Sequence, residues 1–154
     1  VTGVQTCALP IFRLEPKIKR VGGLQKWSAR NVDIFVGDIF KVTRQGLGRV
    51  DAIYDRAALV ALPEKLRERY AAHLNRLTNA APQLLITYDY DQSVMPGPPF
   101  SISNAEIVRR YSKSHELVLL SSAEVPGGLK GKCPALENVW LLRKATASAR
   151  RIRR

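Results

Sequence analysis

Three acidic residues and one arginine end apolar segments of this sequence, at positions that could form a ligand site. Asp38, Asp55 and Asp89 each close a short run rich in Val, Ile, Leu or Tyr, and Arg56 follows Asp55. Short apolar runs of this kind predict buried strands of a parallel sheet. Ligands of an open α/β sheet bind beside the carboxyl ends of its strands. Three acids along one such edge therefore predict a ligand crevice.

Asp38 and Arg56 are the residues with the clearest possible chemistry. Asp38 follows Gly37, and a carboxylate beside flexible backbone suits hydrogen bonds to an adenine amino group or to a sugar. Arg56 would place a cation in the same crevice. Each has a simpler alternative, because Asp38 could cap a helical turn and Asp55 with Arg56 could be a structural ion pair. The residue types alone leave these alternatives open.

Two loops rich in proline or glycine could add contacts. Met95 to Phe100 (M-P-G-P-P-F) is stiff because each proline fixes its own φ angle. It could form a hydrophobic wall for a flat substrate, or serve only as a stiff connector. Val125 to Pro134 (V-P-G-G-L-K-G-K-C-P) superficially suggests a phosphate cradle, but no helix follows it to supply a dipole. We therefore predict a long hairpin loop there.

The cysteines and histidines do not point to a metal or to a nucleophile. Cys7 and Cys133 are too few for a disulfide framework or a zinc site, which favours a reducing, cytoplasmic compartment. His73 has no second metal-binding partner near it in sequence and is interpreted as a helix-surface residue. The sequence contains no run of 18 apolar residues, so we expect no membrane span.

The net charge of +12 is concentrated near the two ends of the chain. Residues 13–30 hold six basic side chains and one acidic one, and residues 143–154 hold six basic side chains and no acid. The residues between them hold 13 basic and 12 acidic groups, so the body of the domain is not basic. A basic tail could contact phosphates without reading sequence, but nucleic acid is not the partner that this distribution favours.

The order of predicted elements is that of an α/β fold. The helices are predicted over 64–77 and 103–111, the second with Ser103 as its cap and Glu106 three residues on, a capping box. The segment before 32–36 is polar and basic, with a turn at Gly22-Gly23. The predicted strands are 32–36, 50–54, 84–88, 116–120 and 137–142. This order matches the second half of a doubly wound, Rossmann-like sheet that finishes in an antiparallel hairpin.

Several of these segments together resemble the bacterial thiopurine S-methyltransferases. The resemblance covers about residues 13–144, in the segments G-D-I-F, V-D-A-I-Y-D-R-A-A-L-V-A-L-P, R-Y-A-A-H-L, L-L-I-T-Y-D-Y and P-G-P-P-F-S-I-S. It implies a class I methyltransferase that uses S-adenosyl-L-methionine and methylates the sulfur of aromatic or heterocyclic thiols. A class I methyltransferase with another acceptor (a metalloid, oxygen or nitrogen) and a basic nucleic-acid-binding module are the alternatives.

The resemblance also implies roles for particular residues. Asp38 and Ile39 match positions beside the adenine of the cofactor, and Arg56 matches an arginine of the cofactor and substrate site. Pro98, Pro99 and Phe100 would line the substrate side. Arg56 could favour the thiolate form of the acceptor or hold a carboxylate of the cofactor, and the sequence does not separate these roles. No metal is implied, and the complete protein is expected to be a monomer.

The resemblance divides the chain into three parts. Residues 1–11 look like a translated sequencing adaptor, although they could be an ordinary terminus, residues 12–144 match the carboxyl-terminal part of the methyltransferase domain, and residues 145–154 form a basic tail. The family's first strand, with its glycine-rich cofactor loop, and its second strand, with the ribose-binding acid, have no counterpart. We therefore expect a partial sheet without its first strands, and a chain that is not a competent enzyme by itself.

Overall fold

The computed structural model describes residues 15–145 and divides the chain into two compact units between Gly48 and Arg49. The predicted non-native segment 1–11, Cys7 and the basic tail beyond residue 145 lie outside the described residues.

The amino-terminal unit is a three-stranded antiparallel sheet followed by short helical turns. Its strands are β1 (Lys17–Val21), β2 (Leu24–Ala29) and β3 (Val32–Val36), in the order β1-β2-β3. The turn predicted at Gly22-Gly23 joins β1 to β2, with Gly22 at φ +60°. A 3₁₀ turn over Ile39–Lys41 and a short helix, α1 (Arg44–Leu47), complete the described part of this unit.

The strand predicted over 32–36 is confirmed, but its expected place in the fold is wrong. β3 pairs with β2, whereas the strands that end near Asp55 and Asp89 belong to a different sheet. The three acids therefore do not share one sheet edge. The reason lies in the preceding segment, which forms a hairpin of β1 and β2, and β2 pairs with β3 along the chain. Trp27 is paired with Ile18 of β1 and with Ile34 of β3, and such apolar cross-strand pairs stabilise a sheet. The many basic residues of this segment obscure this apolar pattern in the sequence.

The carboxyl-terminal unit is built on a four-stranded mixed sheet of order β4-β5-β7-β6. β4 is parallel to β5, and β5 and β6 both pair antiparallel with β7. The sheet therefore ends in an antiparallel hairpin, as predicted, and the α/β fold class is consistent with a class I methyltransferase. The strands are β4 (Ile53–Asp55), β5 (Gln83–Tyr90), β6 (His115–Glu124) and β7 (Ala135–Lys144).

The strand predicted over 50–54 is shorter than expected and lies at an edge. Only Ile53 to Asp55 pair with β5, and within the described residues no strand pairs with the other side of β4. Tyr54 is 64% exposed, so this strand is not buried on both faces as its composition suggested. Apolar composition reports what a strand can bury, and the neighbours available decide what it does bury.

Both predicted helices of this unit are present. α2 (Glu64–Thr78) is amphipathic and ends at Asn79, which is left-handed with φ +56°. α3 (Asn104–Tyr111) begins at its predicted cap, where the Ser103 hydroxyl accepts a hydrogen bond from the amide of Glu106 at 3.3 Å. None of the described helices is long and apolar enough to cross a membrane.

The core of this unit lies between one face of the sheet and the two helices. Alternate residues of β5 are buried on this face, and Gln83 and Thr87 are among them. Burying each large aliphatic side chain contributes about 1.5–3 kcal/mol. The fully buried apolar side chains are Leu59, Leu85, Ile102, Ile107, Tyr111 and Leu142.

Candidate functional site

Asp55, at the end of β4, is a structural acid and not a crevice residue. It is only 2% exposed, and its carboxylate accepts hydrogen bonds from the amide of Leu59 (3.2 Å), the hydroxyl of Tyr70 (3.0 Å) and Nε2 of Gln83 (3.2 Å). Burial raises the pKa of Asp55, and the bonds from Leu59 and Tyr70 oppose that rise. These donors connect the end of β4 to α2 and β5, so the prediction that Asp55 lines a ligand site is wrong.

Arg56 has the opposite character, because it is exposed and comes one residue beyond the last paired residue of β4. It interacts with Tyr88, whose pKa is raised mainly by burial and also by Glu137, while the positive charge of Arg56 lowers it. Tyr88 and Glu137 are paired across β5 and β7. Arg56 therefore lies near the carboxyl ends of β4 and β5 and the amino end of β7, where a bound ligand could reach its guanidinium group.

The backbone after Arg56 turns sharply. Ala57 has φ +65°, a left-handed conformation that is unfavourable by about 1–2 kcal/mol for a residue with a Cβ atom. The turn leads into a 3₁₀ segment, Leu59–Ala61, whose first two residues are buried. Strained backbone beside an exposed charge is a common feature of functional sites, so this turn supports the interest in Arg56.

The segment containing Pro98, Pro99 and Phe100 is anchored at several points. The amide of Phe100 donates to the carbonyl of Val60 at 2.6 Å, which ties the segment to the turn that begins at Arg56. The hydroxyl of Tyr90 donates to the carbonyl of Pro99 at 2.5 Å, and Nζ of Lys130 donates to the carbonyl of Pro98 at 2.7 Å. The segment is thus a stiff connector, as one interpretation had it. It also lies at the same sheet edge as Arg56, as a substrate wall requires.

Asp38 and Ile39 belong to the amino-terminal unit, whereas Arg56 belongs to the carboxyl-terminal unit. Oδ1 of Asp38 accepts a hydrogen bond from the amide of Phe40 at 3.0 Å. This bond caps the 3₁₀ turn, so the simpler alternative considered for Asp38 is confirmed. Both residues are exposed, with Ile39 at 39%, and their roles beside a cofactor stay a prediction.

The loop between β6 and β7 is the predicted hairpin loop and not a phosphate cradle. The amides of Gly128, Leu129 and Gly131 donate to carbonyl groups of the loop itself, at 2.8 to 3.2 Å. These amides are therefore not aimed at an anion. Cys133, at 3% exposed, packs with Leu129 in a small apolar cluster against the end of β5.

Other residues of this edge were not identified from the sequence. Tyr88 and Glu137 contact the region of Arg56 but lie 49 residues apart in the chain, so only strand pairing brings them together. Arg67 of α2 and Glu106 of α3 form a buried ion pair beside Phe100. The P-G-P-P-F segment, which contains Phe100, was the one feature of the sequence that indicated the region of Arg67 and Glu106. Among residues 15–145, no group of three or more His, Cys, Asp or Glu side chains could hold a metal ion.

Comparison with known proteins identifies the family. The sequence model of the thiopurine S-methyltransferase family matches residues 4–141. The chain is 50% identical over 146 residues to the thiopurine S-methyltransferase of Gluconobacter oxydans (strain 621H), covering 91% of this chain and 66% of that protein. It is 50% identical over 130 residues to the enzyme of Xanthobacter autotrophicus (strain ATCC BAA-1158 / Py2), covering 84% of this chain and 61% of the relative.

A more distant relative carries a related name. The probable thiopurine S-methyltransferase of Yarrowia lipolytica (strain CLIB 122 / E 150) is 42% identical over 115 residues, which cover 73% of this chain and 54% of that protein. The chain thus spans less than two thirds of the length of the curated relatives that it matches. The recognition made from the motifs is confirmed, and this chain belongs to the thiopurine S-methyltransferase family.

Proposed function

We propose that this chain supplies the acceptor side, and part of the cofactor side, of a methyltransferase that uses S-adenosyl-L-methionine to methylate aromatic or heterocyclic thiols. The observation that carries the proposal is the joint placement of Arg56 and the wall Pro98, Pro99 and Phe100. The bond between the Phe100 amide and the Val60 carbonyl holds them at one sheet edge. The membership of the chain in its family adds support.

The groups at this edge suit a reaction that needs little proton transfer. The cofactor supplies a methyl group that its sulfonium centre has already activated for nucleophilic attack. When bound, S-adenosyl-L-methionine would give this methyl group to the thiolate sulfur and keep the electron pair of the broken bond, so it would leave as a neutral thioether. The thiol proton goes to solvent. The protein mainly has to align the acceptor and exclude water.

Arg56 is the residue we assign to this alignment. An exposed guanidinium group at the strand ends can pair with a thiolate, which favours the ionised acceptor, or with a carboxylate of the cofactor. Pro98, Pro99 and Phe100 would face a flat acceptor, because they form a rigid, apolar surface that is at least partly exposed. We assign the cofactor to Asp38, Ile39 and Arg56. The exposed Asp38 carboxylate can accept from an amino group while it caps its turn, and Ile39 offers an exposed apolar surface for a base.

We infer that the acceptor is a small thiol, that the complete protein acts on it as a monomer, and that the reaction takes place in the cytoplasm. Support comes from the two cysteines of the sequence, of which Cys133 is free and buried. A reducing compartment would also keep the thiol acceptor in its reactive form.

The test uses a chimera in which residues 1–14 of this chain are replaced by the whole part of the Gluconobacter oxydans relative that precedes its match to residue 15. We expect the chimera to methylate thiophenol and not phenol. Arg56→Ala should lower kcat/KM for thiophenol by about 100-fold or more, which corresponds to about 2.7 kcal/mol of transition-state stabilisation. Its melting temperature should change by less than about 2 °C, because Arg56 is exposed and packs into no core.

Arg109→Ala is the matched control. Arg109 is also exposed, and it forms an ion pair with Glu64 at 3.5 Å between two helices. It should leave both turnover and melting temperature unchanged. Unchanged turnover of Arg56→Ala with a large fall in melting temperature would show that Arg56 is structural. Methylation of phenol or selenite in preference to thiophenol would show that the acceptor class is wrong.

A further inference from the structure

A buried arginine connects the proposed acceptor wall to the two helices of the carboxyl-terminal unit. The Arg67 side chain is 7% exposed, and its partner Glu106 is 9% exposed. Nε of Arg67 donates to Oε1 of Glu106 at 2.7 Å, and Nη2 donates to Oε2 at 3.0 Å. Two parallel bonds of this kind fix the plane of the guanidinium group as well as its position. Arg110 donates to the same Oε1 at 2.8 Å, which holds the carboxylate in turn.

Arg67 contacts two further segments. Its Nη1 donates to the carbonyl of Leu62 at 2.9 Å, at the end of the turn that follows Arg56. Its Cζ lies 5.9 Å from the centre of the Phe100 ring, within the range of a cation–π contact. Three of the five N–H donors of this guanidinium group are thus bonded to oxygen atoms, and the group is held beside the aromatic ring.

Phe100 is fixed from the backbone side as well. Its amide is bonded to Val60, and its ring lies against Gly97, where an added Cβ atom would come within 2.7 Å of Cδ1. The ring is only partly buried. The backbone of Phe100 is therefore held by Val60 and one side of its ring packs against Gly97, while the exposed part of the ring could contact a ligand.

A merely structural explanation of the ion pair is incomplete. A buried ion pair is weak support for stability, because its desolvation often offsets its attraction and apolar replacements are frequently as stable. What an apolar replacement cannot reproduce is the fixed plane and charge of a guanidinium group next to Phe100.

We infer that Arg67 is a positioning residue of the acceptor site, which orients the Phe100 ring for contact with the aromatic ring of the thiol. This inference rests on the proposed function, since that function assigns Phe100 to the acceptor. Aromatic rings prefer offset-stacked or edge-to-face arrangements, so the orientation of Phe100 decides how well an aromatic acceptor binds. A saturated acceptor of the same size has no such requirement.

The test uses the 154-residue chain and two thiols of similar shape, thiophenol and cyclohexanethiol. Affinities are measured by NMR titration, and chemical shifts of ring-labelled Phe100 report its orientation directly. We expect the unmodified chain to prefer thiophenol. Arg67→Lys, which keeps the charge but loses the paired bonds, should weaken thiophenol binding by about 3- to 10-fold, as expected for loss of an aromatic contact. It should change cyclohexanethiol binding by less than about twofold and shift the Phe100 ring signals.

A double-mutant cycle separates positioning from stability. Phe100→Leu should weaken thiophenol binding to a similar extent, and adding Arg67→Lys to it should have no further effect. Arg109→Lys, in an exposed arginine–glutamate pair between the same helices, is the control and should change neither affinity. Arg67→Met removes the charge at similar volume. If Arg67→Met does not fold, Arg67→Lys still tests the inference.

Two results would overturn the inference in distinguishable ways. If the unmodified chain binds neither thiol, the acceptor assignment of the proposed function is wrong, and the role of Arg67 is refuted with it. If thiophenol binds, but Arg67→Lys weakens both thiols equally or leaves the Phe100 signals unmoved, Arg67 is structural only and the proposed function stands.

Discussion

Removing the negative charge of Glu106 should be one of the most damaging single changes in the carboxyl-terminal unit. Glu106 carries three hydrogen bonds from Arg67 and Arg110, at 2.7, 3.0 and 2.8 Å, and its side chain is 9% exposed. Glu106→Gln leaves two arginines without their countercharge and turns an amide NH₂ group toward their donors. Breaking a buried pair in this way costs about 3–5 kcal/mol. For a chain of this size that corresponds to a fall in melting temperature of about 6–20 °C.

The dependence on pH provides a second measure of the same interaction. Burial raises the pKa of Glu106, but the bonds and charges of Arg67 and Arg110 outweigh it and hold this pKa below its usual value. A carboxyl group with a lowered pKa stabilises the fold above its unfolded pKa, and loses that contribution as the pH falls through its folded pKa. The difference in unfolding free energy between the unmodified chain and Glu106→Gln should therefore be constant from about pH 6 to 8, since glutamate in an unfolded chain has a pKa near 4.3. It should shrink below about pH 4.

Urea unfolding followed by circular dichroism at pH 7 and at pH 3.5 measures both quantities. Glu64→Gln serves as the control, because it weakens the exposed pair with Arg109 and should change stability by less than about 1 kcal/mol. A loss below about 1 kcal/mol for Glu106→Gln at pH 7 would refute the reasoning. So would a difference that does not shrink in acid.

Two other predictions concern the cofactor and the acceptor wall. The 154-residue chain should bind S-adenosyl-L-methionine no tighter than about millimolar in calorimetry, because within the described residues the turn after β4 has no glycine and β4–β5 is the one parallel strand pair. Stoichiometric micromolar binding would contradict this. Gly97→Ala should destabilise the fold by about 2–4 kcal/mol in urea unfolding, because Gly97 combines φ +94° with a Cβ position 2.7 Å from Phe100 Cδ1. Gly48→Ala is the control, because Gly48 has φ +84° but no atom near its Cβ position, so it should lose only the stability that the backbone conformation costs. Equal losses of stability in the two variants would mean that the Phe100 ring moves aside freely.

The two proposals depend on different parts of the sequence. The P-G-P-P-F segment and Arg56 are visible as motifs, and the structure places both at one edge of the sheet. Arg67 and Glu106 are 39 residues apart and look like ordinary charged residues of two amphipathic helices. An analysis of helix faces would assign charged residues to solvent, so their burial could not be predicted.

The sequence by itself determined the local elements and the family. The helices over 64–78 and 104–111, the Ser103 cap and the hairpin of β6 and β7 follow from spacing, capping and turn residues that act within a few positions. Tertiary structure alone decided that β3 joins a separate sheet, that Asp55 is buried while Arg56 is exposed, and that Arg67 meets Glu106. Such outcomes depend on competition among distant partners for the same backbone edges and buried sites. Adjacent residues of one strand point to opposite faces. Only the packing of the sheet against α2 and α3 made one face the core, so that Asp55 is buried while the next residue, Arg56, is exposed.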